Sequence, residues 1–206
     1  MDKIDFVADD KDLYAPKAEP ELVDVPTLPY LMYDGRGIPE HNPEFQRAFH
    51  ALYGVAYGLK SLAKRGRLSN NRRDFKVPPP EGLWWTEGDK SFMEAKREDW
   101  HWTLMIRMPE WVTPKLVQQV VTELMAKKKD GVFRGVRFEE LAEGKSVQLM
   151  HVGPYDTEDA DLAKMATFTE TAGMHYRGKH HEIYFGDPRR TKPKKLHTIL
   201  RHPVKT

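Results

Sequence analysis

The sequence predicts an α+β protein built from two β-α-β-β modules, residues 28–108 and 147–203. Two observations support this prediction. Both halves of the chain repeat the order strand, helix, strand, strand, and each half has one amphipathic helix that needs a sheet face to cover. Locally, residues 31–35 (LMYDG) match residues 149–153 (LMHVG) at three of five positions. We therefore expect a duplicated fold, with a further helix over residues 113–129 inserted between the modules.

The first module follows an N-terminal segment, residues 1–20, that is charged and turn-rich and is interpreted as a mobile or surface-laid arm. A short apolar strand over residues 28–33 ends in the turn-forming residues 34–37. Asn42 is expected to cap a helix, because apolar residues then recur at the spacing of one buried face: Phe45, Phe49, Leu52, Ala56, Leu59 and Ala63. Two tryptophan-rich strands follow, around residues 82–85 and over 100–108.

The second module has weaker but similar signals. Thr113 and Pro114 open the inserted helix, and residues 146–152 then predict a strand. The next helix is expected to be capped by Asp156 or Thr157 and to end at Gly173. Strands over residues 180–185 and 196–202 complete the module. Residues 21–206 are therefore expected to form a single domain.

Composition narrows the classes of partner and compartment. The chain has 33 Lys and Arg against 31 Asp and Glu, a formal net charge of +2, which does not favour direct contact with nucleic acid. It has no cysteine, which excludes disulfides and thiolate chemistry, and no apolar run as long as a membrane span or signal peptide. We therefore expect a cytoplasmic protein that binds neither nucleic acid nor membrane. Composition does not indicate an oligomeric state.

Motifs for metals and cofactors are missing from the sequence. Adjacent His180 and His181 point to opposite faces of a strand, and no HExxH spacing occurs. The glycine-rich nucleotide loops and the GxSxG motif of serine hydrolases are absent as well. We therefore expect no metal and no cofactor. The basic segment 64–73 could contact phosphate, although a solvated loop is the simpler interpretation.

Glu182 stands out because it lies inside an otherwise apolar strand, on the same face as His180 and Tyr184. Two interpretations are open. In the first, the face is exposed to solvent or Glu182 pairs with a nearby arginine, as in many half-buried strands. Alternatively, Glu182 lies at the floor of an aromatic cleft, where it would act as a general base or as the counter-charge of a cationic ligand. Glu182 and Tyr184 are the candidate catalytic residues.

Several segments together resemble the GyrI-like small-molecule-binding domain family. Residues 150–156 (MHVGPYD), a short helix and residues 181–188 (HEIYFGDP) carry the core of the resemblance. Residues 82–85 (GLWW), 102–106 (WTLMI) and 196–201 (LHTILR) resemble its stand-alone bacterial members, which include gyrase-inhibitory proteins and hydrolases of cyclopropane-bearing, DNA-alkylating compounds. The resemblance spans about residues 20–205. It implies a saddle-like, mainly antiparallel sheet with helices on one side and a ligand cleft between the modules.

The resemblance also implies roles for individual residues. Glu182 matches the buried acid at the cleft floor of family members that bind lipophilic cations. Tyr184 shares its face and would either hold the carboxylate or donate a hydrogen bond to the ligand. The remaining ligand contacts are expected from Tyr53, Tyr57, Trp85, Trp100, Trp102, Met150, His151, Tyr155 and Phe168.

Three functions remain open at the level of sequence. The cleft could accept an electrophilic xenobiotic, such as an activated cyclopropane, and open it with water, using Glu182 as base. It could instead sequester aromatic, hydrophobic or cationic compounds without turnover. In a third interpretation, an outer surface binds a protein such as gyrase and Glu182 is irrelevant. The tryptophans near the presumed cleft favour a small-molecule site, and residues 1–20 are too short for a DNA-reading domain. The hydrolase is therefore preferred.

Overall fold

The computed structural model describes residues 3–40, 42–64, 74–88 and 95–206, so the basic segment 64–73 lies outside the described residues apart from Lys64. The chain contains both helices and antiparallel strands, which confirms the mixed α+β class. The helices are α1 (Phe6–Asp9), α2 (Lys11–Tyr14), α3 (Pro43–Lys64), α4 (Pro114–Lys128) and α5 (Asp159–Thr171). The strands are β1 (Glu21–Arg36), β2 (Glu81–Trp85), β3 (His101–Arg107), β4 (Arg137–Val152), β5 (His175–Tyr176), β6 (His180–Phe185) and β7 (His197–Lys205).

The chain divides into two compact units. Unit 1 comprises Met1–Asp5, Leu28–Pro78 and Trp84–Leu141, and unit 2 comprises Phe6–Thr27, Pro79–Leu83 and Ala142–Thr206. The order strand, helix, strand, strand occurs in β1, α3, β2 and β3, and again, with the two-residue β5 added, in β4, α5, β6 and β7. The predicted duplication, its module bounds, the saddle form of the sheet and the cleft stay predictions.

Both long helices of unit 1 begin at the residues that the sequence indicated. The Asn42 Oδ1 accepts hydrogen bonds from the backbone N–H groups of Glu44 (2.9 Å) and Phe45 (3.4 Å), at the start of α3. The Thr113 Oγ1 accepts one from the Leu116 N–H (3.4 Å), at the start of α4. These bonds satisfy N–H groups that have no partner within the helix. Beyond its cap, α3 buries Ala48, Ala51, Leu52, Val55, Ala56, Leu59 and Leu62.

Gly35 makes room for a large side chain in unit 1. It lies in β1 directly opposite Trp102 of β3, and a Cβ on Gly35 would stand 2.1 Å from the nearest indole carbon. Trp102 itself has no solvent-exposed surface, so the ring has no space into which it could move. The turn predicted over residues 34–37 is wrong for residues 34–36, because pairing with β3 extends β1 to Arg36.

Gly35→Ala is expected to lower the free energy of unfolding by about 1–3 kcal/mol, the usual cost of overpacking a filled core. Urea unfolding monitored by tryptophan fluorescence measures this change. Gly131→Ala is the matched control, because a Cβ at Gly131 meets no atom within 4 Å. Equal urea midpoints for wild type and Gly35→Ala would show that the Trp102 ring can move to accommodate the added methyl group.

Strand β7 organises the sheet of unit 2. It pairs antiparallel with β4 and with β6 over the same residues, so these two strands occupy its opposite edges. Leu200 is the partner of both Leu149 and Glu182, so all three side chains lie on one face of the sheet. Helix α5 covers this face through a core cluster: Val147, Leu149, Met165, Leu200 and Val204, with Leu162, Phe168 and Met174 at its edge. Glu182 therefore lies on the helix-covered face.

The opposite face of the same strands carries a buried ionic network. The His181 Nε2 lies 2.9 Å from Glu81 Oε2, and its Nδ1 lies 3.0 Å from the carboxylate of Glu143. Arg201 adds a second cation, 3.7 Å from Glu143, and the Tyr14 hydroxyl donates to Glu81 (3.0 Å). The two carboxylates raise the pKa of His181 to about 9 against the opposing effect of its burial. His181 is therefore a cation at neutral pH.

The N-terminal segment contributes to the core of unit 2. Phe6, Leu13 and Tyr14, in α1 and α2, are buried. The Leu13 carbonyl accepts a hydrogen bond of 2.6 Å from Arg201, and the Lys17 carbonyl accepts one of 2.7 Å from the Met150 N–H. The interpretation of residues 1–20 as a mobile or surface-laid arm is therefore wrong for this stretch, because its few apolar side chains are the ones that pack.

Candidate active site

Glu182 is a buried carboxylate whose two oxygens both face polar neighbours. The Tyr184 hydroxyl donates a hydrogen bond of 2.7 Å to Oε2, and the His180 Nε2 lies 3.3 Å from Oε1. These neighbours come from the same face of β6, as the sequence predicted, because side chains alternate along a strand. These two contacts hold the carboxylate in one orientation. Because Glu182 keeps 9% of its surface exposed, it is not sealed from a small molecule.

A second carboxyl group, that of Glu158, lies within electrostatic reach of Glu182. Burial, followed by charge repulsion from Glu182, raises the pKa of Glu158 to about 10, with the Thr198 hydroxyl acting in the opposite direction. Thr198 is paired with Tyr184 across β7 and β6 and shares its face. Glu158 therefore carries a proton at neutral pH, beside the Glu182 side chain.

Tyr155 and His202 complete the polar surroundings of this face. The Tyr155 ring contacts the Tyr184 ring edge-on, with centroids 5.8 Å apart. Burial and then the charge of Glu182 raise the pKa of Tyr155 to about 12, so its phenol remains a hydrogen-bond donor. Burial and then the charge of His180 lower the pKa of His202 to about 3. His202 is therefore neutral at neutral pH.

The arrangement combines groups of complementary protonation state. Glu182 can accept a proton, or can face a cation, while Glu158 and Tyr155 can donate. A buried carboxyl group whose pKa is raised well above its usual range, beside a second carboxyl group, is typical of acid–base sites. Glu182 and Tyr184 lie together as the sequence predicted, and Tyr155 lies beside them. Because its hydroxyl donates to Glu182, Tyr184 positions this carboxylate.

His151 is on the same face of the sheet, and both of its ring nitrogens contact the segment that follows β4. Its Nδ1 lies 2.8 Å from Asp161 Oδ2 in α5, and its Nε2 lies 3.2 Å from the Pro154 carbonyl oxygen. The ring therefore links β4 to the turn and the helix that follow it. Its predicted contact with a ligand stays a prediction, and the observed geometry is that of an anchor.

Met150 and Phe168 are two further predicted ligand contacts that lie in unit 2. Met150 is paired with Ile199, which is also the partner of Ile183, so Met150 lies on the face opposite Glu182. Its prediction as part of the same site is wrong, because neighbours in a strand point to opposite sides. Phe168 is partly buried and packs against the core cluster beneath α5, and its predicted contact with a ligand stays a prediction.

The other predicted ligand contacts belong to unit 1. Tyr53 stacks with Tyr57 along α3, with centroids 6.2 Å apart, and Tyr57 is 56% exposed. Trp85 is half-buried and stacks on His101 (5.6 Å), and the Arg97 guanidinium lies over Trp100 (4.9 Å). These four keep surface that a ligand could contact.

Trp102 lacks the accessible surface that a ligand contact requires. It is fully buried, packed against Gly35 and edge-on to Phe45 with centroids 5.0 Å apart. A ring without accessible surface contacts no ligand, so its prediction as a binding residue is wrong. The alternation of the strand placed Trp102 on one face of β3, but β3 is covered on both faces.

Sequence reasoning missed Glu158. It lies in an acidic run, residues 156–161 (DTEDAD), which is typical of a helix start. The prediction that Asp156 or Thr157 caps α5 is wrong, because these residues form a short 3₁₀ turn and Glu158 stands at the cap position. Its carboxyl makes no capping hydrogen bond, whereas Asp156 and Asp159 are exposed. The direction of the Glu158 side chain depends on where the 3₁₀ turn passes into α5, and the sequence does not reveal that position.

Two structural features bear on other classes of function. Within the described ranges, no group of three or more His, Asp or Glu side chains is arranged to hold a metal ion. Among the same residues, no helix combines the length and apolarity that crossing a membrane requires.

Comparisons with known proteins place this geometry in context. Residues 18–205 match the family model of the GyrI-like small molecule binding domain. Three crystal structures from Listeria innocua are similar over 98–99% of this chain and 100% of their own: an uncharacterized conserved protein (41% identity, TM-score 0.90) and two structures described as hydrolases (39%, 0.87; 40%, 0.89). No curated protein sequence gives a significant match. The match over nearly the whole chain shows that the protein belongs to the family of the GyrI-like small-molecule-binding domain.

Proposed function

We propose that this protein binds aromatic, hydrophobic small molecules and hydrolyses an electrophilic one, an activated cyclopropane of the kind carried by DNA-alkylating compounds. The observation that carries the proposal is the Glu182 carboxylate, oriented by Tyr184 and His180 on the helix-covered face of unit 2. Similarity to two Listeria innocua structures described as hydrolases supports turnover rather than binding alone.

The chemistry follows from the protonation states of these groups. In a cyclopropane fused to a conjugated dienone, one ring carbon is electrophilic, and water attacks it while Glu182 removes the proton of the water. The breaking carbon–carbon bond sends its electron pair through the conjugated ring to the carbonyl oxygen, which becomes a phenolate. Tyr155, which keeps its proton, can donate a hydrogen bond to this oxygen as its charge develops.

A second candidate function is sequestration without turnover. A buried carboxylate beside the Tyr155 and Tyr184 rings also suits a flat cation, because Glu182 would supply the counter-charge and the rings would supply apolar contact. In this case the same residues bind, but no water is activated.

One incubation separates the two functions. Purified protein is mixed with an excess of a cyclopropane-bearing alkylator, or with a panel of aromatic cations, and the products are followed by chromatography with mass detection. We expect many molecules of ring-opened, hydrated product per molecule of protein. Saturable binding with no product above the uncatalysed rate would assign the protein to sequestration.

Trp85→Ala is expected to weaken the binding of a flat aromatic ligand by about twofold to tenfold, since one aromatic contact contributes about 0.5–1.5 kcal/mol. Trp85 is half-buried, so the variant should fold normally. Affinity is measured by titrating the ligand and following the remaining tryptophan fluorescence. An unchanged dissociation constant would remove Trp85 from the ligand site.

A further inference from the structure

We propose that Glu158 is the general acid of this site, delivering a proton to the oxygen that becomes negative while Glu182 accepts the proton of the attacking water. This inference rests on the proposed hydrolysis. It assigns to the two carboxyl groups opposite tasks in one step, on the grounds of their positions and of the hydrogen bonds that each makes or lacks.

The position of Glu158 is the first argument. It precedes α5 directly, and α5 covers the sheet face that carries Glu182. Only 7% of Glu158 is exposed, although its neighbours Asp156, Thr157 and Asp159 are exposed. Its side chain makes no capping hydrogen bond to the helix. The carboxyl group of Glu158 is therefore buried without serving as the helix cap.

The hydrogen bonds of the two carboxyl groups are the second argument. Glu182 faces Tyr184 through one oxygen and His180 through the other, so both of its oxygens have a polar neighbour. In contrast, Oε1 of Glu158 is buried and has no hydrogen-bond partner in the part of the chain that the structure describes. An ionised carboxylate is costly in that state, and a protonated carboxyl costs far less.

The charges around Glu158 act in the same direction. Glu182 on β6 and the helix residues Asp159 and Asp161 all disfavour a negative charge on Glu158, and the Thr198 hydroxyl on β7 favours it. Tyr155 lies within electrostatic reach of both Glu182 and Glu158, so its phenol is close to the two carboxyl groups. Glu158 therefore holds its proton through the neutral range.

The step balances without a further reactant. One proton leaves water for Glu182, the remaining hydroxide bonds to the ring carbon, and the carbon–carbon bond breaks toward the conjugated carbonyl. The oxygen of that carbonyl takes the proton of Glu158, so the net change is the addition of one water. A proton exchange from Glu182 to Glu158, directly or through solvent, then restores both groups.

Glu158→Gln tests the proposal, because the amide keeps the shape and can still donate a hydrogen bond but cannot deliver a proton. We expect turnover to fall by about 10²-fold or more, with little change in the dissociation constant for a non-reactive analogue. Asp156→Asn, at an exposed carboxylate two residues earlier, is the matched control and should behave like wild type.

An infrared measurement provides a readout that does not depend on activity. The wild-type protein at neutral pH should show the carbonyl stretch of a protonated carboxyl group, and Glu158→Gln should lose it. Wild-type turnover in both variants, or an unchanged carboxyl band in Glu158→Gln, would overturn the assignment. Wild-type protein without any turnover would instead overturn the proposed hydrolysis, so the two failures are distinguishable.

Discussion

Replacing Glu182 by Gln is expected to reduce turnover of a cyclopropane-bearing alkylator by about 10²–10⁴-fold, the usual contribution of a general base. The amide keeps the size of the carboxylate and can still accept the hydrogen bond from Tyr184 that orients it. Binding of a non-reactive analogue should therefore change little. Single-turnover rates and dissociation constants, measured on the same preparations, separate the two effects.

The control for this variant is Glu170→Gln, at an exposed glutamate of α5. Equal turnover by wild type and Glu182→Gln would exclude Glu182 as the base. A loss of turnover together with a comparable loss of affinity for the neutral analogue would indicate that Glu182 holds the ligand and does not act on water.

Removing the His181 cation from the buried network is expected to have the largest effect on stability. His181→Leu leaves Glu81 and Glu143 buried without the imidazolium that both contact. Breaking a buried ion pair by deleting one partner costs about 3–5 kcal/mol, because the remaining charge is not solvated. Urea unfolding at about pH 6 measures this loss. His175→Leu, at an exposed histidine of β5, is the matched control.

The same network gives a pH dependence with a defined sign. The pKa of His181 is raised from 6.5 to about 9 by folding, so its contribution is complete below about pH 6.5 and is lost as the pH rises through about 9. Contact with His181 lowers the pKa of Glu143 despite the opposing burial, so the contribution of Glu143 is lost only as the pH falls below its unfolded value. The difference in stability between wild type and His181→Leu should therefore shrink between about pH 6 and pH 10. A constant difference would contradict a charged His181.

Local chemistry was enough to predict much of the fold. Asn42 and Thr113 cap helices because their side chains satisfy N–H groups a few residues away, an interaction that the sequence contains in full. In contrast, β1 and β4 begin well before the predicted strands. Their early residues, 21–27 (ELVDVPT) and 137–145 (RFEELAEGK), mix charged and apolar side chains and are mostly exposed or half-buried, so they lack a continuous apolar pattern.

The candidate site was predictable only in part. Glu182 was found because a carboxylate in an apolar strand is anomalous, and alternation then placed Tyr184 on its face. Glu158 lies among other acidic residues, and nothing local shows that it alone turns inward. The sequence predicts Trp102 as a ligand contact because it does not reveal that both faces of β3 are covered. Burial is decided by segments that lie far apart in the chain.

Hydrolysis in water labelled with oxygen-18 tests the central claim most directly. The protein is given an excess of a cyclopropane-bearing alkylator, and the product is analysed by mass spectrometry. If water activated by Glu182 opens the ring, one labelled oxygen will appear on the former cyclopropane carbon, in many product molecules per protein, and Glu182→Gln will suppress this product. An unlabelled product, a covalent adduct with the protein, or labelled product formed at the same rate by Glu182→Gln would contradict it.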